Sequence, residues 1–160
     1  MPDLHLKLKS IYPESVAEIH AHRGDETAVV RRESLLQIAR FVKTQTEFDL
    51  NILMDLSAVD GLGLKWNPRF EVVYHFYSLA KNHRLRLKVR VPEKDAVVPS
   101  LVPLWPIADW FEREVWDMFG IRFDGHPNLK RILMYEEFAG HPLRKDYPYN
   151  KRQPLIGPKN

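Results

Sequence analysis

From Arg84 to Val91 the chain alternates without a break: Arg84, Arg86, Lys88 and Arg90 take one parity, and Leu85, Leu87, Val89 and Val91 take the other. A period of two sends successive side chains to opposite faces of a strand, so this segment has one apolar and one cationic face. Phe70 to Leu79, just upstream, is rich in Val, Tyr and Phe on both parities, as in a central strand, and a short turn near Asn82 and His83 joins the two runs. The pair predicts an antiparallel hairpin with one buried face.

The remaining pattern interleaves helices with strands. Residues 13 to 18 are expected to form a short helix, and Ile19 to His22 and Thr27 to Arg31 read as strands around the turn Arg23-Gly24-Asp25. Leu35, Ile38, Ala39 and Val42 recur at helical spacing within 33 to 43, and Leu50, Ile52, Met54 and Leu56 alternate as in a strand. Pro92, Pro99, Pro103 and Pro106 punctuate the chain beyond the hairpin, which predicts a loop over 92 to 106 packed by Leu101, Leu104 and Trp105. The expected fold is therefore α+β: a single domain with a mixed or antiparallel sheet, packed helices and an extended C-terminal arm. Its expected divisions are a core at 1–120, an arm at 121–148 and a flexible tail at 149–160.

Residues 109 to 119 carry the densest chemistry. Asp109 followed by Glu112 has the spacing of a capping box, and Gly120 stands where a helix ends in a left-handed residue. At 100° per residue Phe111, Val115, Met118 and Phe119 share an arc that predicts the core side. Trp110, Arg113 and Asp117 project elsewhere, with Trp116 at the edge, and two tryptophans outside the core arc imply a second burial surface. Glu112 and Glu114 are turned about 200° apart, so they form no carboxylate dyad. Arg113 and Asp117 stand four apart, which is either a surface ion pair or a pair buried against a partner.

Composition narrows the classes. The 160 residues contain no cysteine, which excludes thiolate-held iron–sulfur clusters, disulfides and a cysteine nucleophile. Apolar runs fall far short of the ~20 residues that cross a bilayer, and the N-terminus lacks the charged-then-apolar order of a secretory signal, so a cytoplasmic location is expected. With 24 cations against 21 anions, the charge is compatible with nucleic acid without requiring it.

Glu112-Arg113-Glu114, then after two residues Asp117-Met118-Phe119, after six His126, after three Lys130 and after one Ile132-Leu133 together resemble the signature of the C-subunit family of proton-translocating NADH–quinone oxidoreductase, respiratory complex I. Gly140-His141-Pro142-Leu143-Arg144-Lys145-Asp146-Tyr147-Pro148 is similar to that family's closing motif, and Leu53 to Asp60 to a further block, so the resemblance spans residues 27 to 148. It implies a short, unfused subunit of the peripheral arm, on the cytoplasmic side in bacteria, with structural and assembly duties. Its implied partners are the large quinone-site subunit and the iron–sulfur subunits, and it binds no nucleic acid and does not span the membrane. The chain itself is expected to hold no cofactor, metal or catalytic residue; NADH, FMN, iron–sulfur clusters and quinone belong to partner subunits. The residues implied in docking are Trp110, Glu112, Arg113, Glu114, Trp116, Asp117, His126, Pro127, Lys130, Arg131, His141, Pro142, Arg144, Lys145, Asp146, Tyr147 and Pro148.

Other readings stand beside this one. A homologous subunit of a membrane-bound hydrogenase, or of a ferredoxin- or quinone-linked complex, shares the family's features. The stripe Arg84 to Arg90 suits nucleic acid or an acidic partner, although on a hairpin it equally marks a solvated face. His20, His22, His126 and His141 are metal-ligand types, but no third ligand falls at compact spacing, which favours structural hydrogen bonding. Arg23-Gly24-Asp25 is explained by the turn without any role in adhesion. A hydrolase built on Glu112 or His126 is the weakest reading, because no nucleophile and base are placed together.

Overall fold

A computed structural model describes residues 3–154 of the chain. Its centre is a five-stranded mixed sheet ordered β1-β2-β5-β4-β3, built from β1 (Val16–His22), β2 (Asp25–Val30), β3 (Ile52–Asp60), β4 (Phe70–Ser78) and β5 (His83–Val91). The expected hairpin is there: β4 and β5 pair antiparallel from Phe70↔Val91 to Ser78↔His83, which brings Val72, Tyr74 and Phe76 beside Val89, Leu87 and Leu85 on one face. All six are essentially inaccessible to solvent. The α+β class and the mixed sheet are as the sequence predicts, and the single parallel pair in this sheet is β2 with β5.

Among the described residues three α-helices accompany the sheet: α1 (Leu4–Ile11), α2 (Leu35–Thr44) and α3 (Ala108–Phe119). In α2, Leu35, Ile38, Ala39 and Val42 are all buried, as their spacing requires. The short helix expected at 13 to 18 is absent. Leu4 and Leu8, one turn apart, instead make an earlier helix, while Val16 to His22 extends to pair with β2 around the Arg23-Gly24 turn. The expected loop at 92 to 106 contains a three-residue strand, β6 (Val97–Pro99), which pairs in parallel with β7 (Arg122–Asp124) and seats the chain on either side of α3. In β3 a bulge between Leu53 and Asp55 shifts the alternation, so that Leu53, Leu56 and Ala58 are buried while Met54 faces out.

The predicted capping box does not form. Backbone turns lead directly into α3, with the Ala108 N–H donating to Trp105 O, that of Asp109 to Pro106 O and that of Trp110 to Ile107 O, and no side chain caps the helix. Glu112 is thereby released to turn inward. The other end agrees with expectation: Gly120 is left-handed, at φ 76°, and its N–H donates to Trp116 O.

After β7 the described chain contains no further helix or strand and runs in tight turns over the C-terminal end of α3 and the β3–β4 end of the sheet. The tail expected at 149 to 160 lies partly outside the described residues. Within them, Gln153 Nε2 donates to Ala139 O and to Tyr147 Oη.

Candidate subunit-docking site

The signature residues divide into those consumed inside the chain and those left at its surface. Asp117, expected to face a partner, is fully buried. Its Oδ2 accepts the consecutive backbone N–H groups of Ile132, Leu133 and Met134 at 3.1, 2.9 and 2.9 Å, and its Oδ1 accepts Arg131 Nη1 at 2.5 Å. Burial alone would raise the carboxyl's pKa, but these four donors outweigh it and hold the pKa below the ordinary range. Arg131 in turn donates through Nη2 to Phe138 O and Gly140 O, and its guanidinium lies over the rings of Trp116 and Phe138. The i, i+4 pair of Arg113 with Asp117 therefore does not form. Arg113 donates instead to Lys130 O and Arg131 O, at 3.1 and 2.9 Å.

His141 completes this knot. Its Nδ1 donates to Asp117 O at 3.0 Å and the Leu143 N–H donates to Met118 O, so the arm satisfies two carbonyls that the end of α3 leaves open. The ring meets Trp116 edge-on, with centroids 6.3 Å apart. A Cβ at Gly120 would lie 2.6 Å from the His141 ring, on a backbone with positive φ. Gly120→Ala is accordingly expected to cost about 1–3 kcal/mol in a urea unfolding titration; an unchanged midpoint would contradict the packing described.

Glu112 is the second carboxylate turned inward. Fully buried, it accepts Ser100 Oγ–H and the Leu101 N–H, both at 2.6 Å, and so ties α3 to the end of β6. Burial, with a smaller contribution from the neighbouring Asp109, pushes its pKa up to about 7 despite the two hydrogen bonds. Because the folded value lies above the ordinary one, the group costs nothing below pH ~4.5 and destabilises progressively as pH rises towards ~7. In Glu112→Gln the amide oxygen can still accept from Leu101 and the amide nitrogen can donate to Ser100 Oγ. The variant is expected to gain about 2–3 kcal/mol on wild type between pH 5 and pH 8 in urea titrations. Parallel stability profiles for the two proteins would show that Glu112 is ionised throughout.

A second ionic knot, centred on Arg69, was not picked out by any sequence motif. Arg69 Nε and Nη2 hold Asp60 at 2.9 and 2.6 Å, Nη1 reaches Glu93 at 2.6 Å, and Nη2 and Nη1 grip Asp146 at 2.8 and 3.0 Å. Asp60 also accepts the N–H groups of Leu62 and Lys145. Burial works to raise the Asp60 pKa, but the Arg69 and backbone donors overcome it and bring it down to about 2. The same guanidinium lowers the pKa of Asp146. Arg144 lies over the Phe70 ring, as Arg69 itself does. Asp60 ends the Leu53–Asp60 block and Asp146 stands in the closing motif, but nothing in the sequence joined them through Arg69.

The other expected docking residues lie mostly at the surface. Trp110, 56% exposed, stands over Arg113 on the outside of α3, and Glu114, Pro127, Lys130, Lys145 and Pro148 are exposed. His126 accepts the Asn128 N–H at Nδ1, which leaves Nε2 to donate to Asp109 O at 3.2 Å, so it is a structural histidine. Pro142 is half-buried, and Tyr147 stacks on Phe138 with a 6.0 Å centroid separation. The cationic stripe of β5 is largely neutralised in place: Arg90 forks onto Glu18, Lys88 pairs with Glu71 at 2.8 Å and Arg86 faces Asp25 at 3.7 Å. A titration with duplex DNA at low salt is therefore expected to be flat, and steep salt-dependent binding would restore the nucleic-acid reading.

A mixed sheet with a return arm knotted to both α3 and the β3–β4 turn defines a class of small α+β domain. The same fold occurs in a chain of the membrane-bound sulfane sulfur reductase, an archaeal respiratory membrane complex, at a TM-score of 0.75 and 21% identity over 92% of this chain and 85% of that one. The chain belongs to the family described as respiratory-chain NADH dehydrogenase, 30 Kd subunit, which matches residues 28–153. It is 44% identical over 154 residues to the NADH-quinone oxidoreductase C subunit of Geobacter sulfurreducens, covering 95% of this chain and 93% of that one. To the corresponding C subunit of Roseiflexus castenholzii it is 48% identical over 147 residues, covering 92% and 83%. A trypsin-resistant fragment (1–134) of Nqo5 superposes with a TM-score of 0.68 at 32% identity, covering 79% of this chain and 99% of the fragment. No helix among the described residues is long and apolar enough to cross a membrane.

Proposed function

We propose that this chain is a non-catalytic, cofactor-free structural subunit of NADH–quinone oxidoreductase, peripheral to the membrane on its cytoplasmic side. It supports electron transfer from NADH to quinone by holding the large quinone-site subunit and the neighbouring iron–sulfur subunits in place. One observation carries the reading beyond family membership: the inward-facing acids of the signature, Glu112 and Asp117, are spent on the chain's own backbone and on Ser100 and Arg131. Groups locked in this way position α3 and the arm and are not free to act as general bases. Trp110, Arg113, Glu114, Lys130 and Lys145 remain at the surface as docking candidates, while Glu112 and Asp117 leave that set because no partner can reach them.

The reading is tested by tagging the chain in its native host and identifying what co-purifies. The quinone-site and iron–sulfur subunits are expected, together with NADH-dependent quinone reduction by the assembly and none by the chain alone. Turnover by the isolated chain, or its purification without those subunits, would defeat the reading.

A further inference from the structure

Between β3 and β4, Leu62, Leu64 and Trp66 are 42%, 66% and 41% exposed, three large apolar side chains within five residues. Exposed apolar residues scattered singly need no explanation, but a rigid cluster does. This loop is rigidly built. The Gly61 N–H donates to Arg69 O at 2.9 Å, the Leu62 N–H to Asp60 Oδ1 at 2.9 Å, and those of Leu64 and Trp66 to Gly61 O at 3.0 and 3.1 Å. The Trp66 indole lies so close over Gly61 that a Cβ there would approach it to 2.5 Å, and Lys65 is held left-handed at φ 57°. The chain is thus fixed in a form that presents these side chains to solvent.

Beside the loop is a cleft of about 400 Å³ with apolar walls from Leu62, Trp66, Pro68 and Pro92 and with Lys65 and Lys94 in its lining. Among the described residues neither lysine has a carboxylate partner, whereas Glu93, which also lines the cleft, is committed to Arg69. Lys145 is brought alongside by its backbone bond to Asp60. With Arg69 and Arg144 counted, the rim has two more cations than the carboxylates Asp60, Glu93 and Asp146 supply.

We infer that the 61–68 loop and its cleft are a docking surface for an acidic, apolar segment of another subunit, one that buries its apolar side chains on Leu64 and Trp66 and sets a carboxylate between Lys65 and Lys94. The inference rests on the subunit role proposed above and adds to it a surface outside the signature helix and closing motif. A concave cleft fits individual side chains better than a lipid surface does.

The test is made on the native complex, with Leu64 replaced by the photo-crosslinking residue benzoylphenylalanine and the adduct identified by mass spectrometry after irradiation. A crosslink to another subunit, in a segment with Asp or Glu among apolar residues, is expected. Leu64→Asp and the Lys65→Glu/Lys94→Glu double variant should each lower that partner's recovery about tenfold at equal amounts of chain, with the isolated chain's melting temperature unchanged. A crosslink to lipid, to a second copy, to the chain itself or to nothing would overturn the inference, as would variants recovered at the wild-type level. Benzoylphenylalanine-bearing chain that enters the complex without forming the crosslink removes only the docking loop. Wild-type chain that fails to enter it removes the subunit role as well.

Discussion

Replacing Asp117 with alanine is expected to cost the isolated chain about 3–5 kcal/mol, the range for breaking a buried charged pair from one side. Three backbone N–H groups and a guanidinium with 14% of its side chain exposed would lose their acceptor together. No nearby oxygen replaces it, because Arg131 already uses Phe138 O and Gly140 O. Asp117→Asn should recover only part of the loss: one oxygen can still accept from the 132–134 backbone, but the amide nitrogen would face the Arg131 donors. Urea unfolding gives the magnitude, and hydrogen exchange locates it, since protection should fall over 131–143 before it falls in β4 and β5. A loss below about 1 kcal/mol for the alanine variant would mean that Asp117 does not hold the arm.

Arg69→Ala should be of similar size, about 3–5 kcal/mol, because it leaves the buried Asp60 without its cation and frees Asp146. Arg69→Met fills part of the volume and should cost nearly as much, since the uncompensated carboxylate outweighs the lost packing. The knot also has a pH signature. Asp60 and Asp146 both have folded pKa values below their ordinary ones, so their contribution is complete above pH ~4 and is lost as pH falls through the folded value, about 2 for Asp60. The wild type should therefore lose stability steeply below pH ~4. In Arg69→Ala the two pKa values return towards normal and this acid-side slope should largely vanish. An equally steep slope in the variant would show that other carboxylates, such as Asp117, dominate acid unfolding.

The features legible in advance came from periodicity. The alternation of 84–91 fixed β5, its register faces and its neighbour, because a period of two has no other stable use next to an apolar run. The spacing of Leu35, Ile38, Ala39 and Val42 gave α2 for the same kind of reason. The errors arose where tertiary contacts decide. Val16 to Glu18, expected within a helix, instead extend the strand read at Ile19 to His22 because β2 is there to pair with them. Asp117 looked outward on a helical wheel, and Glu112 looked like the partner of a cap, because a wheel counts one core, whereas α3 is packed by β6, by the sheet and by the returning arm. Arg69 was invisible for a related reason: its partners Asp60, Glu93 and Asp146 lie 9, 24 and 77 residues away, and no local spacing records such a meeting.

The parallel pairing of β2 with β5 has a consequence for synthesis. Residues 27–30 take their seat beside 86–89, so the N-terminal hairpin stays without its neighbour while roughly 55 further residues are made, several seconds at ordinary elongation rates. During that interval the edge of β2 that β5 will occupy presents its backbone N–H and C=O groups unpaired. The nascent chain is thus most exposed to chaperones and to aggregation in its first half, and a ribosomal pause placed before β5 should harm its yield more than one placed after it.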